Sequence, residues 1–213
     1  MAVGRAVASA HRPLSDPHPT MDPVQDLVIG EDGLARCGWA GTGGDYAAYH
    51  DTEWGRTLHG DDAMFERLSL EGFQAGLAWI TVLRKREAFR AAFHDFRIAE
   101  VAALTPADVD RLLTDPGIIR SRAKIESAIH NAHVVQDLDG GLDAFLWSFA
   151  PPKRPERPRS FSETPTVTPE STAMAKALKK AGVKFIGPTS AYALMQATGM
   201  VDDHLKGCHR AAA

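Results

Sequence analysis

The sequence predicts an all-α fold, and three observations carry that reading. Apolar residues from Leu34 onward recur at helical spacing, with no sustained two-residue alternation of the kind a half-buried strand needs. Several of these segments open or close on helix signals: Asp61 and Asp62, Thr105 with Pro106, and the glycines Gly182 and Gly199. The two cysteines, Cys37 and Cys208, lie towards opposite ends of the chain, and His50 and His204 accompany them. That distribution predicts that the two ends are tied into one subdomain.

Taken in order, residues 1–33 read as a disordered leader, because the stretch 12–23 repeats proline and offers little to bury. Folding is expected from about Leu34. A first long helix follows Asp61 and Asp62, an acidic start that suits the helix dipole, and runs through Met64, Phe65, Leu68 and Leu70 to about Leu77. A second is expected over 80–93, with an exposed basic cluster at Arg84, Lys85 and Arg86. Shorter helices are expected after Thr105 and Pro106 and over 122–136, and residues 142–149 form a compact apolar piece. A proline-rich, basic connector over 151–169 leads to a helix from about Ser171 that stops before Gly182. A last helix spans about 190–198, with Gly199 as its terminator. The domain organisation expected from this is 34–60 with 151–213 as a zinc-binding subdomain and 61–150 as a helical domain.

At 213 residues and 44% apolar content the chain has enough material for a substantial core. A net charge of -3 neither advertises nor excludes a nucleic-acid partner, since binding depends on a local basic face. No apolar run reaches the length of a membrane span or resembles a secretory segment, so a cytoplasmic location is expected and no membrane partner. In that reducing setting paired thiols are better explained by a metal than by a disulfide. Cys37, His50, His204 and Cys208 make a complete tetrahedral zinc set, with a disulfide or unligated thiols as the alternatives. The spacing of four puts His204 and Cys208 on one face if that segment is helical.

Two further places could carry chemistry. The run from Asp115 to Arg120 joins two helical stretches through Gly117. A glycine turn of this kind can present backbone N–H groups to a phosphate, with Arg120, Arg122 and Lys124 beside it, or be a plain helix–helix turn. Glu71 lies in a strongly apolar helix, where a charge is unfavourable without a partner or a task. Gly72 and Gly76, four apart, lower helix stability and are expected to open one face to something flat, with Gln74 near by. Trp39, Tyr46, Tyr49 and Trp54 crowd the first two metal candidates, and with Trp79 they would suit a planar, electron-poor or cationic ligand. A salt-bridged Glu71 in an ordinary aromatic core is the alternative.

These residues also carry a resemblance. Arg36, Cys37, Gly38 and Trp39, then Tyr46, Tyr49, His50, Asp51, Glu53, Trp54 and Gly55, are similar to the opening of the DNA-3-methyladenine glycosylase I family. The similarity continues through Leu70, Glu71, Gly72, Gln74 to Leu77 and Trp79 to Leu83, resumes at Gly117 to Arg120 and Lys184 to Gly187, and closes at Met195 to Ala197 and at Asp203 and His204. It implies a helix-hairpin-helix DNA glycosylase fold with a zinc-binding subdomain joining the N- and C-terminal segments. Cys37, His50, His204 and Cys208 would hold a structural Zn2+. Glu71 would be the pocket carboxylate, and Tyr46, Tyr49 and Trp79 the base contacts, with Trp39 and Trp54 supporting them. Gly117, Arg120 and Lys124 would meet the DNA backbone. Phe73 departs from the polar residue expected after the glycine and would alter the outer wall of the pocket. The implied activity is hydrolysis of the N-glycosidic bond of 3-methyladenine in alkylated double-stranded DNA by a monomer. No lysine lies within the Glu71 motif, so a monofunctional enzyme leaving an abasic site is expected. A lesion-binding module without chemistry and a zinc hydrolase with an open metal position are the competing classes.

Overall fold

The computed structural model describes residues 25–152 and 156–210. Structure begins earlier than Leu34. Strand β1 (Leu27–Ile29) pairs antiparallel with β2 (Ala35–Cys37), Leu27 opposite Cys37, across a turn that Gly33 makes at φ 75°. Three-residue strands are too short to show an alternation, which is why none was legible. Residues 25–33 are therefore not leader, and residues 1–24 lie outside the described part. A 3-10 turn (Gly38–Ala40) leads to helix α1 (Gly44–Thr52).

Helix α2 (Asp61–Gln74) opens on its two aspartates and buries Met64, Phe65, Leu68 and Leu70. It stops short of Leu77, since Gly76 turns the chain at φ 79° and Lys124 Nζ donates to the carbonyls of Phe73 and Ala75 at 2.9 and 2.6 Å. The single helix expected over 80–93 is two, α3 (Trp79–Leu83) and α4 (Arg86–Ala92). The chain breaks at Lys85, whose ammonium reaches the carbonyls of Pro116 and Gly117 at 2.8 and 3.2 Å. Of the basic cluster only Arg84 is exposed.

A left-handed turn at His94, Asp95 and Phe96 sets Phe96 flat on Phe93, centroids 5.5 Å apart, and leads into α5 (Ile98–Ala102). Helix α6 (Pro106–Leu112) starts at the expected Thr105–Pro106 signal, and Thr105 forms a capping box with Asp108. Helix α7 (Arg122–Gln136) has the expected bounds, and α8 (Gly141–Trp147) is the compact apolar piece. Helix α9 (Pro169–Ala181) starts on a second capping box, Thr168 with Ser171, and ends at Gly182 at φ 106°. Helix α10 (Pro188–Ala197) is closed by Gly199 at φ 73°, where an added Cβ would lie 2.6 Å from the backbone of Arg56.

One apolar core runs from α2 through α4 to α8 and takes in Met174 and Leu178 of α9 and Leu194 and Met195 of α10. A separate small cluster, Cys37, Leu205 and Cys208 with Leu27, Trp39 and Phe161 packed on it, joins the two ends. The fold is thus mostly helical with one short hairpin, and α2 is its central element, flanked by α7, α8 and α10. Among the described residues no helix is long and apolar enough to cross a membrane.

Candidate active site and metal centre

Helix α1 is the hinge of the site, because its side chains face two ways. His50 points towards the chain ends, while Tyr46 and Tyr49 point towards α2. On the first side His50, Cys37, His204 and Cys208 are all buried, with their donor atoms within 4.8 Å of one another. His204 Nδ1 lies 3.2 Å from His50 Nε2, Cys208 Sγ lies 3.4 Å from His50 Nε2 and 3.7 Å from His204 Nδ1, and Cys37 Sγ lies 3.9 Å from His204 Nδ1.

The partners around the cluster fix which nitrogen points inward. His50 Nδ1 is 2.7 Å from Asp51 Oδ1, and Arg36 and His209 hold Asp51 in turn. His204 Nε2 faces the carbonyl of Trp54 at 3.1 Å. The N–H of Leu205 reaches Cys37 Sγ at 3.3 Å. Gly55 is required here: at φ 76° an added Cβ would meet His204 Nε2 at 2.9 Å. His204 and Cys208 do not share a helical face as their spacing suggested. The segment is a non-helical turn, with Gly207 at φ 94°, and it brings the sulfur back beside the imidazole. The two cysteines form no disulfide. The cluster can hold a metal ion.

On the second side Tyr46, Tyr49, Trp39, Trp54, Trp79 and Glu71 line one cavity of about 280 Å³. All six sequence-derived pocket residues therefore meet. Glu71 is 5% exposed, and its carboxylate makes no hydrogen bond among the described residues. Burial pushes its carboxyl up to about 8, with the nearby Arg67 charge pulling the other way. Tyr46 Oη accepts the N–H of Ile80 at 3.0 Å, which leaves its own proton to donate. The rings of Tyr49 and Trp79 lie 5.6 Å apart, and the indole N–H of Trp79 is buried without a partner. Trp39 stands edge-on to Tyr46 at 5.8 Å and to Trp54 at 5.0 Å, between the cavity and the metal cluster.

The opposite wall was not assigned from sequence. It comes from Phe161 and Thr164 of the proline-rich connector, from Ala193, Gln196 and Ala197 of α10, and from Asp203. Asp203 Oδ2 accepts from Tyr192 Oη and Gln196 Nε2, both at 2.7 Å. Gln196 and Asp203 lie in motifs noted above, whereas Phe161 and Thr164 carry no signal of their own.

Three details differ from expectation. Gly76 is in the turn after α2, and Gly72 faces Phe185 and Ile186, so the pair does not flatten a pocket wall. Phe73 is buried against Phe89 and Phe93 at 4.5 and 5.7 Å and takes no part in the cavity. At the α6–α7 turn, the N–H of Gly117 is taken by Asp115 Oδ1 at 2.7 Å, and the glycine is needed for packing, since its Cβ would lie 2.9 Å from Ala88 Cβ. Lys124 is spent on the end of α2, and burial lowers its ammonium. Arg120 is exposed and has no ion pair among the described residues, and the amides of Ile119 and Arg120 have no acceptor there.

Comparison with known proteins agrees in family and fold. The methyladenine glycosylase family matches over residues 39–211. The DNA-3-methyladenine glycosylase 1 of Escherichia coli is 47% identical over 180 residues, spanning 82% of this chain and 96% of its own. A crystal structure of a 3-methyladenine DNA glycosylase I superposes with a TM-score of 0.78 at 46% identity, covering 82% of this chain and 98% of its own. The Staphylococcus aureus 3-methyladenine DNA glycosylase I, solved for the basis of its 3-methyladenine recognition, superposes with a TM-score of 0.77 at 36% identity, covering 80% and 93%.

Proposed function

The chain belongs to the methyladenine glycosylase family, and from that we propose that it is a DNA-3-methyladenine glycosylase of base-excision repair whose pocket is built on Glu71. One observation carries the assignment of the pocket: a buried carboxylate without a hydrogen-bond partner stands in an aromatic-walled cavity. Such a group is unfavourable in the empty protein and is satisfied by a planar cation with N–H groups on its edge.

The substrate base carries a fixed positive charge, so it is a good leaving group. The C1′–N9 bond breaks with its electron pair moving into the ring, the base leaves neutral, and water adds to C1′ and gives up a proton. The protein unstacks the nucleotide at a cost of a few kcal/mol and holds the base in the cavity. Glu71 accepts hydrogen bonds from the base edge, Tyr46 donates its free phenolic proton, and Tyr49 and Trp79 pack on the ring. Unmodified adenine lacks the charge that Glu71 complements. No lysine lies in the cavity lining, which supports monofunctional action that leaves an abasic site.

The partner is double-stranded alkylated DNA. In this reading the α6–α7 turn is the hairpin of a helix-hairpin-helix fold, and it meets the backbone through Arg120 and the amides of Ile119 and Arg120. Gly117 and Lys124 act behind them by shaping the turn and fixing α2. The metal is a structural Zn2+. Ordinary Zn–N and Zn–S bond lengths require donor separations of about 3.3 Å between nitrogens and about 3.6 Å between nitrogen and sulfur, and the observed 3.2 to 3.9 Å fit them. Four protein ligands leave no position for water, so bound zinc would supply stability and no Lewis-acid step. The division into a zinc-binding part, 34–60 with 151–213, and a hairpin part, 61–150, belongs to this reading, as do a monomeric state and a cytoplasmic location.

The test is release of free base from methylated duplex DNA, with Glu71→Gln alongside. Release of 3-methyladenine without strand cleavage, strongly reduced in the variant, is expected. No release from folded, zinc-replete protein would leave a lesion-binding module instead, and trapping of the protein on DNA by borohydride would overturn the monofunctional assignment.

A further inference from the structure

Arg67 lies one helical turn before Glu71 on α2 and is nearly buried, with 11% of its side chain exposed. One guanidinium nitrogen donates to Glu53 Oε2 at 2.6 Å, and the guanidinium carbon stands 5.9 Å from the centre of the Tyr49 ring. The other terminal nitrogen is buried with no acceptor among the described residues. Glu53, just after α1, also takes two bonds from Arg86 at 2.6 and 2.8 Å. Burial alone would raise its carboxyl, but Arg86 and Arg67 override this and hold it down at about 2. Two guanidiniums against one carboxylate leave a positive excess behind the pocket. A buried arginine with an orphaned nitrogen is an unfavourable arrangement for packing alone.

We propose that Arg67 is a positioning residue for base excision: it clamps the Tyr49 ring, and its charge, partly cancelled by Glu53, favours the ionised form of Glu71 when a cationic base enters. The proposal rests on the reading of Glu71 and Tyr49 as pocket residues. The charged and titratable groups around Glu71 are few. Tyr46 and Tyr49 come from α1, and burial raises the Tyr49 phenol and keeps it neutral. Asp203 comes from the segment after α10, with one oxygen taken up by Tyr192 and Gln196. Arg67 is the one group whose charge opposes the effect of burial on Glu71. An ionised glutamate is what a fixed cation selects. A guanidinium one turn away therefore lowers the cost of reaching that state, and Glu53 keeps it from repelling the base.

The test is kcat/KM for 3-methyladenine release from methylated duplex DNA as a function of pH, for wild type, Arg67→Met, Arg67→Lys and Glu53→Gln. Zinc content and the unfolding midpoint are measured for each. Arg67→Met should move the acid limb to higher pH by about one unit, giving roughly tenfold slower excision at neutral pH that recovers in alkaline buffer. Arg67→Lys should return the limb towards wild type while KM stays raised, because the ammonium restores charge without the flat contact on Tyr49. Glu53→Gln should move the limb the other way. Limbs that coincide in all four proteins would overturn the proposal, whatever the overall rates. Should Arg67→Met fail to fold, the direction of the Glu53→Gln limb decides alone, with an unmoved limb counting against. Absence of release by the wild type would instead remove the underlying reading of the pocket.

Discussion

Glu71, the proposed pocket carboxylate, is unfavourable for the fold in its charged form. Its ordinary value of 4.5 rises to about 8 on folding because burial disfavours the charge. The folded protein therefore holds a proton that the unfolded chain has released, and stability is fully present below pH 4.5 and declines as pH rises through 8. The slope is at most about 1.4 kcal/mol per pH unit. Glu71→Gln should lack it, so its unfolding midpoint should exceed that of wild type by a margin that widens between pH 5 and pH 8. A constant margin in thermal unfolding would contradict the burial of that carboxyl. The burial of Glu71 beside a cavity was legible in sequence because a charge in an apolar helix is conspicuous. That of Arg67 was not, because an arginine on a helix usually reads as a solvated residue.

Among the elements, those with strong local signals were legible. Helix α7 has the bounds read from its sequence and α6 begins at its Thr105–Pro106 signal, whereas α9 begins at Pro169, two residues before the expected Ser171, on a capping box that went unread. Replacing Thr105 or Thr168 by alanine should cost about 1 kcal/mol each in chemical denaturation and leave excision unchanged. Helix α1 went unread because its side chains face the Cys/His cluster on one side and the cavity on the other, so it shows no apolar stripe. The α3–α4 break was hidden for a related reason: the contact that makes it, from Lys85 to Pro116 and Gly117, joins residues 31 and 32 positions apart. Two basic residues near the α6–α7 turn should also separate cleanly. Arg120→Ala should weaken DNA binding and reduce its salt slope by about 1. Lys124→Met should leave that slope alone and lower kcat, because it frays the end of α2 near Glu71. Equal changes in slope in a salt titration would contradict that distinction.

Across the whole molecule, the Cys/His cluster and the cavity share a wall. Trp39 touches the rings of Tyr46, Tyr49, His50 and Trp54, so the cavity's shape depends on the metal's side of the fold. With zinc in the cluster as proposed, Cys208→Ser, or treatment with a chelator, should destabilise the protein by several kcal/mol and abolish excision together with the fold. A variant that stays folded yet loses activity would favour a hydrolytic metal. The convergence of Cys37 with His204 was legible in composition, whereas the turn that delivers Cys208 was not, since a spacing of four suits a helix equally well.

Cys37 and His204 stand 167 positions apart, yet they belong to one cluster. During synthesis, Cys37 therefore waits for a further 167 residues before His204 is made. Tyr46, Tyr49 and Trp54 emerge early but have no finished wall to pack against until the closing ligands leave the exit tunnel. A message cut short before His204 would yield a chain that keeps the residues of its main apolar core but lacks two of the four residues of the buried Cys/His cluster. Completion of the chain is therefore a condition for the Cys/His cluster and for the tryptophan wall that it shares with the cavity.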